Sequence, residues 1–127
     1  MTAPIWVDLA LVTAIQSEQL AVFGGASGIR DATLLQSALD RPRNKWAYGE
    51  QDLIVLAAAL CFGLAKNHGY VDGNKRTAFL SSIVFLGLSG INFSAAEPDA
   101  VVMMEALAAG ALTEDELTAW IRTSIAP

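Results

Sequence analysis

The sequence predicts an all-α fold, a compact single-domain bundle of about six helices with a central buried helix pair. Apolar residues recur at helical spacing along most of the chain, residues that cap or end helices bound these segments, and no segment of any length alternates as a strand would. A chain of 127 residues has room for one domain, and a hydrophobic content of 54% suffices for a single core. We therefore expect residues 1–127 to form one domain.

The first helix is expected to follow Asp8, whose side chain can cap it, and to end near Phe23. Gly24 and Gly25 come directly after this point, and glycine commonly ends helices because it adopts left-handed backbone geometry without strain. A glycine-rich loop over residues 24–30 should follow.

Asp31 is a good N-cap for a short second helix. The residue before a proline disfavours helical geometry, so this helix is expected to end before Pro42. Residues 43–51, which carry Trp46 and Tyr48, are then expected to form an irregular loop.

Asp52 can cap a third helix, and a fourth is expected from Asn74 to about Leu88, with Gly90 placed to end it. Both segments are apolar on most sides, so they should be buried and form the central pair. The single cysteine, Cys61, lies inside the third helix and is expected to be an inert core thiol in a reducing compartment.

A fifth helix should open at Glu97 and Pro98, since proline is favoured in the first turn, and close at Gly110. Thr113 and Glu116 have the spacing of a capping box, in which each side chain bonds the backbone N–H of the other residue. They predict a sixth helix near the end of the chain.

Charge and hydropathy exclude several classes of protein. A formal net charge of -5 argues against a general nucleic-acid binder, so no direct DNA binding is expected. Residues 1–12 lack the basic start of a secretory signal, and no apolar run reaches the roughly 18 residues of a membrane span. We expect a cytoplasmic protein without membrane contact.

The most distinctive segment is HGYVDGNKR, residues 68–76, which joins the third and fourth helices and contains the only histidine. Lys75 and Arg76 fall in the first turn of the fourth helix. Cations are disfavoured there because a helix N-terminus has unpaired N–H groups and a partial positive charge. A bound anion, with phosphate as the obvious candidate, would relieve this conflict.

The longer segment HGYVDGNKRTAFLSSIVFL resembles the signature of the Fic/Doc superfamily. Its Asn-Lys-Arg form is similar to the death-on-curing (Doc) branch of bacterial toxins. Three further segments are similar to that branch: Gly-Gly-x-x-Gly-Ile-Arg-Asp, Leu-Leu-Gln-Ser-Ala-Leu with its following proline, and Ala-Ala-Gly-x-Leu-Thr. The resemblance therefore covers most of the chain and implies a Fic/Doc-like fold.

The resemblance implies that His68 is the general base that takes a proton from a target hydroxyl, which suits a side chain that titrates near neutrality. It implies that Asp72 is the ligand of an Mg²⁺ ion bridging the nucleotide phosphates, a task for a hard oxygen donor. Two plainer interpretations remain open. His68 could only cap the third helix, and Asp72 could only be a turn residue.

By the same resemblance, the backbone at Gly73 and Asn74 approaches the phosphates of ATP, and Lys75 and Arg76 are phosphate ligands with catalytic roles. Gly73 and Asn74 could be only turn and N-cap, although these roles are compatible with an approach to the phosphates, and the two cations could be solvated surface charges. Tyr70 is expected to be a hydrophobic plug that anchors the loop.

Two positions bear on the reaction. Adenylylating members of the superfamily have Gly at the position of Lys75 and a second Arg at the position of Phe79. The resemblance to the Doc branch therefore implies transfer of the ATP γ-phosphoryl group to a Thr or Ser hydroxyl of a translation factor similar to elongation factor Tu, which arrests translation. The alternative is transfer of AMP to a protein hydroxyl. A second alternative is that the protein is a catalytically silent interaction module.

The superfamily also has a flap that holds the target segment, and Gly25, Gly28 and Arg30 are the candidates for it here. Its inhibitory pattern, Ser or Thr with Glu four residues on and then Gly or Asn, does not occur in this sequence. The resemblance therefore implies an antitoxin supplied in trans, with a short amphipathic segment in an apolar groove near the site.

Overall fold

The computed structural model describes residues 2–126. It contains six helices: α1 (Leu9–Phe23), α2 (Ala32–Ala47), α3 (Leu53–Asn67), α4 (Asn74–Leu88), α5 (Glu97–Ala108) and α6 (Glu114–Thr123). Residues 2–126 contain no strand, only two isolated antiparallel bridges that join Ile29 to Tyr70 and Phe93 to Ile125. The predicted all-α class is confirmed. None of these helices has the length and apolarity needed to cross a membrane.

Side-chain caps start four of the helices where the sequence predicted them. The carboxylates of Asp8, Asp31 and Asp52 each accept a backbone N–H from the first turn of the following helix. Thr113 and Glu116 form the predicted capping box at the start of α6. Because these bonds are local, the sequence alone was enough to locate these helix starts.

The α3 helix is the centre of the bundle and packs against α2, α4, α5 and α6, while α1 packs mainly on α4. Nine of its residues are buried, which agrees with the predicted central pair of α3 and α4. Burial raises the pKa of the Cys61 thiol to about 12, so this thiol is inert at neutral pH, as predicted.

The predicted end of α2 was wrong, because the helix continues through Pro42 to Ala47. Proline lacks an N–H, so the carbonyl one turn earlier loses its helical partner, and this normally ends or bends a helix. Here Pro42 is buried and the loop expected over residues 43–51 shrinks to the short connection before α3.

Tertiary contacts on the second half of α2 explain the difference. Arg41 and Lys45 both pair with Glu114 at the start of α6. Trp46 is half-buried and packs edge-on against Trp6, with 6.4 Å between the ring centroids. These partners lie far away in sequence, so local sequence signals could not reveal them.

A close approach at Gly69 holds the connection between α3 and α4 against α2. The Gly69 carbonyl accepts the backbone N–H groups of Arg30 and Asp31, at 2.8 and 2.9 Å. A Cβ added at Gly69 would overlap with Cγ and Cδ2 of Leu35, which is only 1% exposed. Only glycine fits this approach without moving a core side chain.

We expect Gly69→Ala to lower the free energy of unfolding by about 1–3 kcal/mol, because overpacking a filled core forces side chains out of place. Gly87→Ala is the matched control, since a Cβ there meets no atom within 4 Å and lies inside α4. This control should gain about 0.5–1 kcal/mol from its lower backbone entropy. Denaturant unfolding of both variants is the measurement, and a Gly69→Ala protein as stable as the wild type would contradict the tight packing.

Candidate functional site

The predicted site residues come together around one small cavity of about 220 Å³ at the junction of α3 and α4. Its lining consists of His68, Val71, Asp72, Gly73, Asn74, Lys75 and Arg76. The predicted flap, residues 24–30, lies directly beside this cavity, because Ile29 in the flap forms a bridge with Tyr70. The cavity is therefore built from a helix end, a turn and a helix start.

His68 ends α3 in a left-handed conformation, with φ 48° and ψ 50°. It is the only non-glycine residue with positive φ within residues 2–126, and such a conformation costs about 1–3 kcal/mol. The imidazole is exposed and lines the cavity, so core packing does not offset this cost. Strain held at a cavity is typical of a functional residue.

Arg30 provides the cap at this helix end. Its guanidinium donates to the carbonyl oxygens of His68 at 2.7 Å and Asn67 at 3.0 Å, two of the groups that a helix C-terminus leaves unpaired. In this structure the Arg30 side chain is thus bound to α3, and its contact with a target stays a prediction.

The Asp72 carboxylate is oriented by two backbone N–H groups. Oδ1 accepts from Gly73 at 3.0 Å, and Oδ2 accepts from Ala26 of the flap at 3.3 Å. A Cβ at Gly25 would lie 2.8 Å from the same Oδ2, so glycine lets the flap come this close. Asp72 is therefore part of a turn, as the plain interpretation held, and is also an exposed, oriented carboxylate.

The donor set can be tested against Mg²⁺. Within residues 2–126 no group of three or more His, Cys, Asp or Glu side chains could hold a metal. Mg²⁺ is usually held by one or two protein carboxylates together with substrate phosphates, and the single carboxylate of Asp72 fits that arrangement.

Asn74 closes the loop by a reciprocal pair of hydrogen bonds with Tyr70. Its Oδ1 accepts from the Tyr70 N–H at 3.0 Å, and its Nδ2 donates to the Tyr70 carbonyl at 2.9 Å. The N-cap of α4 is Gly73, with φ 77°, so the N-cap role considered for Asn74 was wrong. No side chain caps this helix start, which leaves its first N–H groups open to an anion.

Lys75 has a partner that the sequence did not reveal. Its ammonium donates to Oε1 of Glu105 on α5 at 2.7 Å. The Arg76 guanidinium lies 4.6 Å from the centre of the Phe23 ring, a cation–π contact. In this structure a carboxylate of the protein itself relieves the conflict between Lys75 and the helix dipole.

Tyr70 is the plug that the sequence predicted. It is 2% exposed, and its hydroxyl is 2.7 Å from the Thr13 hydroxyl on α1. Burial raises the pKa of the Tyr70 phenol, while the bond to Thr13 opposes that rise. The phenol therefore stays protonated at neutral pH and anchors the loop.

Gly28 joins the flap to the loop, since its carbonyl accepts the Val71 N–H at 3.0 Å. Gly25 and Gly28 thus contact the loop that contains Asp72, and whether they also contact a target stays a prediction.

Sequence reasoning missed Gln16 and Thr13, two α1 residues whose side chains form hydrogen bonds to the loop between α3 and α4. Gln16 is 3% exposed and its Nε2 donates to the Asp72 carbonyl at 3.2 Å. One signal was available. Gln16 lies four residues from both Val12 and Leu20, so it interrupts an apolar stripe of α1.

A second, larger groove of about 780 Å³ adjoins the cavity and shares Lys75 and Arg76 with it. Its walls come from α1, α4, α5 and the segment that leads into α5, and include the apolar side chains of Phe23, Phe79, Ile83, Phe93 and Met104. Phe79 packs edge-on against Phe93, with 5.4 Å between the ring centroids.

The chain is similar to one known protein family and to two characterised relatives. The model of the Fic/DOC family matches residues 6–86. The Toxin Doc of Mycolicibacterium smegmatis is 43% identical over 76 residues, which cover 58% of this chain and 58% of that protein. The Protein kinase doc of Escherichia phage P1 is 30% identical over 79 residues, covering 61% of this chain and 63% of that protein.

The matched region thus spans somewhat less than two thirds of each relative. The segment matched by the family model, residues 6–86, contains the predicted flap, the α3–α4 loop and the start of α4, next to or around the cavity. Because the family model covers more than half of the chain, the protein belongs to the Fic/DOC family.

Proposed function

We propose that this protein is the toxin of a toxin–antitoxin pair. It transfers the ATP γ-phosphoryl group to a Thr or Ser hydroxyl of a translation factor similar to elongation factor Tu, and so arrests translation. The observation that carries the proposal is the cavity in which an exposed histidine and an oriented aspartate flank an uncapped helix start. The names of the two relatives, a toxin and a protein kinase, support it.

The transfer needs a base at the target hydroxyl. As the hydroxyl oxygen forms its bond to the γ-phosphorus, the bond between that phosphorus and the oxygen of the leaving ADP breaks, and the His68 imidazole takes the hydroxyl proton. The cap that Arg30 makes on the His68 carbonyl holds the residue in its left-handed conformation. The imidazole is thereby kept at the edge of the cavity.

The transferred phosphate also needs neutralisation. The uncapped N–H groups at the start of α4 and the side chains of Lys75 and Arg76 supply hydrogen-bond donors and positive charge. Asp72 would hold Mg²⁺, which on binding neutralises charge on the phosphates. Lys75 has to leave Glu105 to join them, and its long side chain allows this.

Two residues favour γ-phosphoryl over AMP transfer. Lys75 fills part of the cavity rim at the position where adenylylating relatives have glycine. Phe79 lies in an aromatic cluster with Phe93 and Trp120, so this position contributes packing and no cation.

The partner we propose is a cognate antitoxin, and the 780 Å³ groove supports it. A helix with one apolar face could bury that face against the aromatic and aliphatic walls of the groove. Because the groove shares Lys75 and Arg76 with the cavity, a segment bound there would also lie beside the phosphate site.

Transfer of labelled phosphate tests the reaction. With ATP labelled either at the γ-phosphate or on the adenine, we expect only the γ-label to remain on elongation factor Tu. His68→Ala should lower this transfer by roughly two to four orders of magnitude, because it removes the base. Its circular dichroism spectrum should match the wild type. Adenine label on the target would replace the proposal by AMP transfer, and no label from either would favour a silent module.

Asp72→Asn should weaken Mg²⁺-dependent ATP binding by about tenfold or more, since loss of even an outer partner of a metal ligand costs 10–100-fold. The amide can still accept the Gly73 N–H, so the melting temperature should change little. Calorimetric titration of ATP with and without Mg²⁺ is the measurement. Unchanged Mg²⁺ dependence would leave Asp72 with only its turn role.

Glu105→Gln should raise the affinity for inorganic phosphate about 1.5- to fivefold, because an exposed ion pair of about 0.2–1 kcal/mol no longer holds Lys75. Lys75→Gln should lower the affinity for phosphate. The double variant, Glu105→Gln with Lys75→Gln, should have the same low affinity as Lys75→Gln alone. Glu97→Gln is the control, since Glu97 lines the same groove without pairing to Lys75. An equal gain in Glu97→Gln would mean that only net charge matters.

A further inference from the structure

Gln16 is a buried polar residue to which the mechanism above gives no part. It lies on α1, is 3% exposed, and stands between apolar residues one turn away on either side. Burying an amide costs free energy unless the amide is hydrogen-bonded, so the Gln16 side chain is expected to have a hydrogen-bond partner. That partner is the main-chain carbonyl of Asp72, which accepts from Nε2 at 3.2 Å.

The bond acts on one peptide unit, the one between Asp72 and Gly73. The carbonyl of this unit accepts from Gln16, and its N–H donates to Oδ1 of the Asp72 carboxylate at 3.0 Å. In a planar trans peptide the C=O and N–H point in opposite directions. When Gln16 holds the carbonyl towards α1, the N–H must therefore point away from α1, towards the carboxylate.

The sequence next to this peptide does not impose that orientation. Gly73 has φ 77° and, being glycine, can adopt negative φ as readily. Rotation of the peptide unit about its two neighbouring bonds is therefore open to the chain, as it is between the common types of β-turn. Such a rotation would turn the N–H away from Oδ1 and leave Asp72 held only by Ala26.

We propose that Gln16 is a positioning residue, which fixes the peptide between Asp72 and Gly73 and through it the Asp72 carboxylate that receives Mg²⁺. The role of Mg²⁺ in this inference rests on the proposed function. The effect of Gln16 on the orientation of the peptide does not depend on it. Because Oδ2 keeps its bond to Ala26, loss of the Gln16 amide should weaken only one of the two hydrogen bonds that hold the Asp72 carboxylate.

Thr13 provides a matched control. It lies on the same helix and also binds the loop, but its partner is the Tyr70 hydroxyl at 2.7 Å, at the far end of a side chain. Thr13→Val removes that bond and keeps the shape of the side chain, without touching the peptide that Gln16 holds.

The test compares Gln16→Met, which keeps the length and loses the donor, with Thr13→Val. In Gln16→Met we expect hydrogen exchange at the Gly73 amide to become about three- to tenfold faster, the range that one hydrogen bond covers. The Mg²⁺ concentration for half-maximal ATP binding should rise by a similar factor. Binding of inorganic phosphate without Mg²⁺ should not change, and Thr13→Val should leave both readouts within about twofold of the wild type.

Gln16→Asn is a second variant, since its amide is one methylene too short to reach the carbonyl, and the same shifts are expected. Unchanged exchange at Gly73 in a folded Gln16 variant would overturn the inference. Equal effects in Thr13→Val would also overturn it, because they would mean a general loosening of α1. A wild-type protein without Mg²⁺-dependent ATP binding would instead overturn the proposed function, and exchange at Gly73 would still decide the role of Gln16.

Discussion

Closure of the loop between α3 and α4 by the Asn74 amide is the constraint on which the site depends. The two bonds between Asn74 and the Tyr70 backbone join the turn to the first residue of α4. They hold the loop through a side chain, so the N–H groups at the start of α4 remain uncapped. With Tyr70 buried below, the residues on either side of it, His68 and Asp72, are exposed at the cavity.

Neighbouring elements then remove the remaining freedom of this loop. The left-handed conformation of His68 costs about 1–3 kcal/mol, and hydrogen bonds from a charged donor contribute about 1.5–3 kcal/mol each when well ordered. The two bonds from Arg30 are therefore of a size that can offset the cost, even after allowance for their exposure. The flap thus stabilises the histidine as well as lying beside it.

At the start of α4, the unfavourable interaction of Lys75 with the helix dipole and its favourable ion pair are similar in size. A cation in the first turn costs about 0.3–1 kcal/mol, and an exposed ion pair returns about 0.2–1 kcal/mol. Glu105 therefore roughly cancels the penalty of Lys75 and holds it only weakly. A phosphate that also accepts backbone N–H groups would make stronger, charge-assisted bonds and would displace the carboxylate.

Features that depend on interactions between residues close in sequence were predictable before the fold was known. Asp8, Asp31, Asp52 and Thr113 cap helices through bonds to residues two or three positions away, so their patterns were sufficient. The motif at residues 68–76 likewise placed a histidine, a carboxylate and two cations around one helix start, and the structure brings them to one cavity.

Features that depend on partners distant in the chain were not predictable in this way, because packing of the helices brings those partners together. Pro42 stays inside α2 because Glu114 and Trp6 stabilise the turns on either side of it. Gln16 and Glu105 act on Asp72 and Lys75 across 56 and 30 positions in sequence, and no local spacing encodes such contacts. The residues that carry the proposed chemistry could be read from the sequence, whereas the contacts that orient them across the fold became visible only when the helices packed together.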